Sequence, residues 1–217
     1  MFLNIPVFVL SVHDNYFVFV DFVAEIIPVD ITIPTQSDPV PVMSVFGWII
    51  IHQHLEYYFN WQLPWANYKA GFGSIDDNFW LGLEKIHLLT NSQPYRLRVE
   101  VQMYYGYGWL SAEYWSFKIG DELNDKYRLE VSGYSGDAGD ALQYTGGLGI
   151  SHNGMAFTTN DQDNDEKIDG NCALDAGGGW WYNAGYQACL MCDYLNNSWK
   201  TAHGWYVFNS RMMIKPQ

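Results

Sequence analysis

The stretch DQDNDEKIDGNCALDAGGGWW, residues 161–181, sets Asp161, Asp163 and Asp165 at alternate positions, adds Glu166 and Asp169, and then runs through a cysteine and three glycines into a tryptophan pair. In a turn-rich segment that spacing points several oxygens at one centre. A hard cation such as calcium takes about six to eight oxygen ligands, commonly from carboxylates, backbone carbonyls and water. The string opens like an EF-hand loop and then departs from it: the sixth position is Glu166 rather than glycine, the twelfth is Cys172 rather than glutamate, and helical flanks are missing. A D-x-D-x-D string also serves as an ordinary solvated turn, because Asp and Asn favour turns. Clustered carboxylates repel one another, however. A folded loop holding Asp163, Asp165, Glu166 and Asp169 therefore gains from a dication, the more so in low-dielectric surroundings beside buried tryptophans.

The rest of the chain narrows what such a loop is for. The 217 residues suffice for one sizeable core; 48% are hydrophobic, 18% aromatic and only 16% charged, which describes a folded protein of short strands and many turns. Eleven cations against 24 carboxylates, a net charge of -13, exclude nucleic acid and disfavour anionic membranes. A cation, a neutral sugar or a basic protein surface fits that field. Cys172, Cys189 and Cys192 allow one disulfide and a spare thiol, the reading preferred here. The alternative is a Cys3His zinc site that adds His203. The opening MFLNIPVFVLSV has the apolar core of a secretory leader without its basic n-region. YFVFVDFVAEIIPV, residues 16–29, is broken by Asp21 and Glu25 and is too short to span a bilayer, so no membrane span is predicted.

Residues 1–68 contain no Lys or Arg, and their β-branched and aromatic runs are interrupted by Pro6, Pro28, Pro34, Pro39 and Pro41, so they read as edge strands and loops. The segment 33–42, IPTQSDPVPV, is the best linker candidate. From Gly47 the texture changes. GWIIIHQ reads as a buried strand and WANYKAGFG as a short helical turn ended by glycine. YRLRVEVQMYY alternates as a half-buried strand, with EYWSFKIG and KYRLEVSGYSG as further strands. The middle of the chain is thus expected to be a twisted antiparallel sheet with short helices, an α+β fold. Beyond about residue 145 regular patterning fades into a region rich in Gly, Asn and Asp.

Taken in order, WANYKAGFG, DNFWLGLEKIHLLT, YRLRVEV, GYSGDAGDAL, HNGMAFTTNDQDND, NCALDAGGGWWYN and the terminal SRMMIKP resemble the fibrinogen-related domain, over roughly residues 47–183 and the last ten. The resemblance implies a domain over 43–217, preceded by a divergent segment over 1–42, with a central antiparallel sheet and a loop-rich C-terminal lobe that binds calcium and ligand. It further implies that Asp163 and Asp165 supply carboxylates to Ca2+. Two carbonyls a few residues on, nearest Ile168 and Gly170, would complete the protein ligands, with a slip of one residue allowed by the longer loop.

The same resemblance places an acetyl-binding pocket beside the calcium in the lectin branch, and there the chain departs from the pattern. Gly185 and Tyr186 stand where a cysteine and a histidine are expected, Ala176 stands at the pocket tyrosine, and the following loop is shortened. Tyr182, Tyr186 and Trp199 remain as candidates for an aromatic ligand surface. VMSVFGW, residues 42–48, lacks the family's N-terminal cysteine, and the C-terminal bridge from Cys172 would need Cys189 as a substitute partner. TGGLGIS, residues 145–151, looks inserted.

The function expected on these grounds is a secreted, calcium-stabilised recognition module, a lectin for acetylated or neutral glycans, capable of homo-oligomerisation. The alternative is an extracellular protein-interaction or matrix module without a sugar site. A zinc-dependent enzyme ranks last, because the six histidines are scattered and no nucleophile motif such as G-x-S-x-G occurs. Asn196 opens an N-N-S acceptor for glycosylation, or an ordinary surface turn.

Overall fold

The computed structural model describes residues 6–13, 16–23, 25–55, 59–103, 108–143, 150–193, 196–201 and 204–217, without the side chains of 6–23, 201, 204 and 205. His203 and positions 145–149 of the inserted string lie outside the described residues. The chain opens with an antiparallel hairpin, β1 (Pro6–His13) and β2 (Tyr16–Val23), which forms a two-stranded sheet of its own. β3 (Ile27–Ile31), β4 (Val40–Val45) and β5 (Trp48–His54) then enter the main sheet. Next come α1 (Trp65–Ala70), the short β6 (Phe72–Gly73) and β7 (Phe79–Trp80), and α2 (Leu83–Ser92). β8 (Tyr95–Met103) and β9 (Trp109–Ile119) are followed by α3 (Glu122–Asp125) and β10 (Leu129–Gly136). The C-terminal third adds α4 (Cys172–Ala176), β11 (Ala188–Cys189), β12 (Ser198–Thr201) and β13 (Gly204–Pro216).

The main sheet is antiparallel throughout, ordered β10-β9-β8-β13-β5-β4-β3. Its most central position thus goes to the last strand of the chain. β8 shows why these residues make a sheet: Tyr95, Leu97, Val99 and Val101 face inward and are buried, while Arg96 and Arg98 between them face outward, the period-2 pattern of a half-buried strand. α2 covers the inner face with Leu83, Ile86, Leu89 and Thr90, spaced three or four apart on one stripe. α1 buries Trp65 and Tyr68 and stops at Gly71, whose φ of 94° suits glycine and where a Cβ would come within 2.4 Å of the Leu81 carbonyl oxygen. The core is built from aromatic rings. Trp61, Trp80, Trp180, Trp181 and Trp199 are all fully buried, joined by Tyr68, Tyr114, Tyr127, Tyr182, Phe117 and Phe157.

One expectation about the N-terminal part is corrected. Residues 33–42 do not link separate units: Ile33 and Val42 are fully buried in the main core, and the segment turns β3 back onto β4 within one sheet. The segment reads as a connector because its prolines stand in and between the outermost strands, where a missing N–H is tolerated.

Candidate functional site

The C-terminal lobe is assembled on backbone contacts rather than on long strands. Thr158 and Trp180 form a two-way bridge, N to O distances 2.9 and 3.2 Å, which sets residues 150–165 against the tryptophan pair. His152 fastens two further segments. Its Nδ1 donates to the Trp181 carbonyl at 2.7 Å, while Nε2 accepts from the backbone N–H groups of Gln187 and Ala188 at 2.9 and 3.0 Å. Those partners require the neutral ring, and complete burial pushes its pKa down to about 4. The glycine run before the tryptophans answers to close approach: a Cβ on Gly178 would lie 1.7 Å from the Met191 carbonyl oxygen, and one on Gly179 would meet the Tyr68 ring at 2.7 Å.

Within the acidic loop each carboxylate has its own position. Asp161 belongs to the scaffold: its Oδ1 accepts from the Trp65 backbone N–H at 2.8 Å and from Thr159 Oγ1 at 2.7 Å, so it caps the start of α1 across 96 positions of sequence. Asp163 is exposed, and its Oδ1 accepts from the Asp165 N–H at 3.3 Å. Asp165 is half-buried; Oδ1 accepts from Lys167 N and Oδ2 from Cys172 N, both at 2.8 Å. Ile168 leaves 96% of its side chain in solvent, and Gly170 holds φ at 129°. Asn171 closes the loop, capping α4 through Oδ1 to Ala173 N and Leu174 N and donating from Nδ2 to the Thr159 carbonyl. The Lys167 ammonium is engaged by Asp175.

This donor set suits a hard cation. Asp163 Oδ1 accepts from the Asp165 main chain, each Asp165 oxygen retains a lone pair beyond its single N–H partner, and the exposure of Asp163, Ile168 and Gly170 admits water to fill further positions. Among the described residues no group of three or more His, Cys, Asp or Glu side chains is arranged for a metal, so an ion at this loop would depend on main-chain oxygens beside the two aspartates. Most of the loop is exposed, whereas the tryptophan pair that follows it in sequence is fully buried.

The expected ligand surface is redistributed. Ala176, Tyr182 and Trp199 are completely buried. The Tyr182 hydroxyl donates to Gly178 O at 2.7 Å and rests 3.0 Å from Cys192 Sγ, and Trp199 Nε1 donates to Gly139 O at 3.1 Å. All three are core residues, Ala176 by its methyl group and Tyr182 and Trp199 by apolar rings whose polar tips are satisfied. Tyr186 alone of the four reaches solvent, with its hydroxyl on Asn196 Oδ1 at 3.0 Å. Beside it stand the exposed carboxylates of Asp175 and Asp193 and the exposed Tyr206 of β13, with Phe208, also exposed, two residues further along that strand.

The cysteines pair differently from the family pattern. Cys189 and Cys192 are bonded to each other, which removes both from any zinc site, and Cys172 is the buried free thiol, raised to about 12 mainly by burial and then by Asp165. Asp161, which the spacing groups with Asp163 and Asp165, caps α1 instead, and two further structural residues, Asn171 and His152, were not singled out from sequence. Asn171 was findable, since Asn directly before CALDA is an N-cap pattern.

A seven-strand antiparallel path with the final strand at its centre and a loop-built C-terminal lobe defines a fibrinogen-like globular domain. The chain belongs to the family of the C-terminal globular domain of fibrinogen beta and gamma chains, whose pattern matches residues 43–216. Human fibroleukin is 40% identical over 154 residues, which is 71% of this chain and 34% of that protein. The fibrinogen-like globe domain of human ANGPTL2 superposes with a TM-score of 0.76 at 33% identity, covering 89% of this chain and 92% of that one. Lamprey fibrin D-dimer complexed with the peptide ligand Gly-His-Arg-Pro-amide gives a TM-score of 0.74 at 32% identity over 82% of this chain and 65% of that one. The chain spans about a third or less of the curated relatives it matches. Among the described residues no helix is long and apolar enough to cross a membrane.

Proposed function

We propose that the chain is an extracellular protein-recognition module that binds a cationic polypeptide segment at the rim of its C-terminal lobe, beside a calcium-steadied acidic loop. One observation carries this reading. The aromatic surface left after Ala176, Tyr182 and Trp199 enter the core is Tyr186, with Tyr206 near it and Phe208 further along β13, bordered by the carboxylates of Asp193 and of Asp175, which already holds Lys167. Exposed rings edged by carboxylates suit an Arg or Lys side chain, which gains cation–π and ion-pair contacts together. The lamprey neighbour, which is complexed with an arginine-containing peptide, supports the choice. When bound at Asp163, Asp165 and the carbonyls near Ile168 and Gly170, calcium would supply positive charge that offsets carboxylate repulsion in the loop.

A sugar site is the weaker reading, because it draws on three side chains that expose no surface. The two are separated by a glycan array in millimolar calcium and in chelator, run beside a panel of short amidated peptides that includes Gly-His-Arg-Pro-amide. We expect blank arrays and saturable binding of cationic peptides, weakened about tenfold by Tyr186→Ala or Asp193→Asn. Calcium-dependent glycan binding with no peptide binding would overturn the proposal.

A further inference from the structure

At the other end of the sheet, on its outer face, two tryptophans hold an arginine between them. Arg96 on β8 opposes Lys215 on β13 directly, and Ile49 opposes Ile214, so Trp48 stands next to Lys215 on the far side of β13. On the other flank the β8–β9 register skips between Tyr95 and Leu97, which brings Trp115 level with Arg96. The Arg96 guanidinium lies 5.3 Å from the Trp48 ring centre and 5.4 Å from that of Trp115. Gly133 on β10 faces Trp115 and keeps its flank open, since a Cβ there would come within 2.8 Å of the Trp115 Cβ. Trp115 is 58% exposed and Phe46, beside Lys215, is 60% exposed.

Lys85 and Arg128, like Lys215, donate to backbone carbonyls rather than to carboxylates. Lys69, Arg98, Lys118, Lys167 and Arg211 are each paired with a carboxylate. Arg96, among the described residues, forms no ion pair and no side-chain hydrogen bond, and its Nε is shielded from solvent with no partner. Lys215 donates only to the Phe46 carbonyl oxygen, at 3.0 Å. A guanidinium fixed between two rings has its orientation set in advance and keeps the N–H edges that receive a carboxylate in paired fashion.

We propose that the row Phe46, Trp48, Lys215, Arg96 and Trp115 is a docking surface for a short acidic segment of a partner protein, one that sets one or two carboxylates next to an aromatic side chain. Two cations flanked by apolar rings match that composition. A sulfated polysaccharide needs a longer cationic track, and a polyanion or a second copy of this chain meets the net charge of -13. For a short ligand the local pair dominates, because charges beyond about 8 Å are screened at physiological salt. The surface is distinct from the Tyr186 rim: Tyr206 and Lys215 are nine positions apart on β13, roughly 30 Å at about 3.3 Å per residue.

The test is calorimetric titration of the full chain with the acetylated, amidated pentapeptide Asp-Tyr-Glu-Phe-Asp and with its neutral counterpart Asn-Tyr-Gln-Phe-Asn. We expect saturable binding of the acidic peptide alone. It should weaken about tenfold in Arg96→Gln and in Trp115→Ser and fall with added salt, while melting temperatures stay at the wild-type value. Should Arg96→Gln melt lower, Lys215→Gln on the neighbouring strand provides the same reading. Equal binding of both peptides, or full binding by Arg96→Gln with Lys215→Gln unchanged, would refute the docking surface. Tighter binding of a heparin-derived octasaccharide than of the peptide, or a concentration-dependent dimer lost in Trp115→Ser, would refute the assigned occupant.

Discussion

His152 shows how much of the lobe rests on single side chains. Its neutral ring joins Trp181 to the Gln187–Ala188 turn, and both contacts at Nε2 fail once that nitrogen is protonated. With a folded pKa of about 4 against roughly 6.5 in the unfolded chain, the linkage has a definite sign: the ring's contribution is complete above pH 6.5 and declines as the pH falls toward 4, where the native state begins to bind the proton too. Between pH 7 and pH 5 the loss is about 2 kcal/mol. Urea unfolding of wild type and His152→Gln at the two pH values measures it as the difference in their pH responses, and parallel responses would remove His152 from the account. Asp161 is the second such residue. Asp161→Ala should cost about 1–2 kcal/mol through loss of the α1 cap, whereas Asp161→Asn, which keeps an accepting oxygen, should cost much less; urea melts compare the two.

At the scale of elements, the strands whose faces differ were legible and those whose partners are remote were not. β8 could be read from YRLRVEVQM because apolar and charged residues alternate along it. β13 shows the same chemistry in SRMMIKP, yet nothing local tells that the last strand slots between β8 and β5; that placement follows from pairing across the whole chain. Residues 33–42 read as a linker because proline density looks alike in an edge strand and in a connector. The site divides in the same way. Asp163 and Asp165 stand out by spacing, and what the structure shows between them is a local turn in which Asp163 Oδ1 accepts from the Asp165 N–H. Tyr182 and Trp199 could not be placed from sequence, since an aromatic ring suits a core and a binding surface equally well, and only the fold showed that the Gly178 and Gly139 carbonyls accept from their polar tips.

For the whole molecule the question is what holds a lobe with so little regular structure. The Cys189–Cys192 bond joins residues three apart, so it restricts the unfolded chain far less than a bridge across a long loop would. Capping and buried hydrogen bonds carry the lobe instead, through Asp161, Asn171, His152 and the packing of Trp180 and Trp181. A cation that binds only the folded loop would add stability by mass action, about 2.7 kcal/mol at a hundredfold excess over its Kd. The central claim, that the loop around Asp163 and Asp165 is organised by calcium, is tested most directly by thermal unfolding in chelator and in saturating calcium, for wild type, Asp163→Asn and Asp165→Ala. The account predicts that calcium raises the wild-type Tm by about 5–10 °C and leaves both variants close to their chelator values. A wild-type Tm that is the same with and without calcium would contradict it.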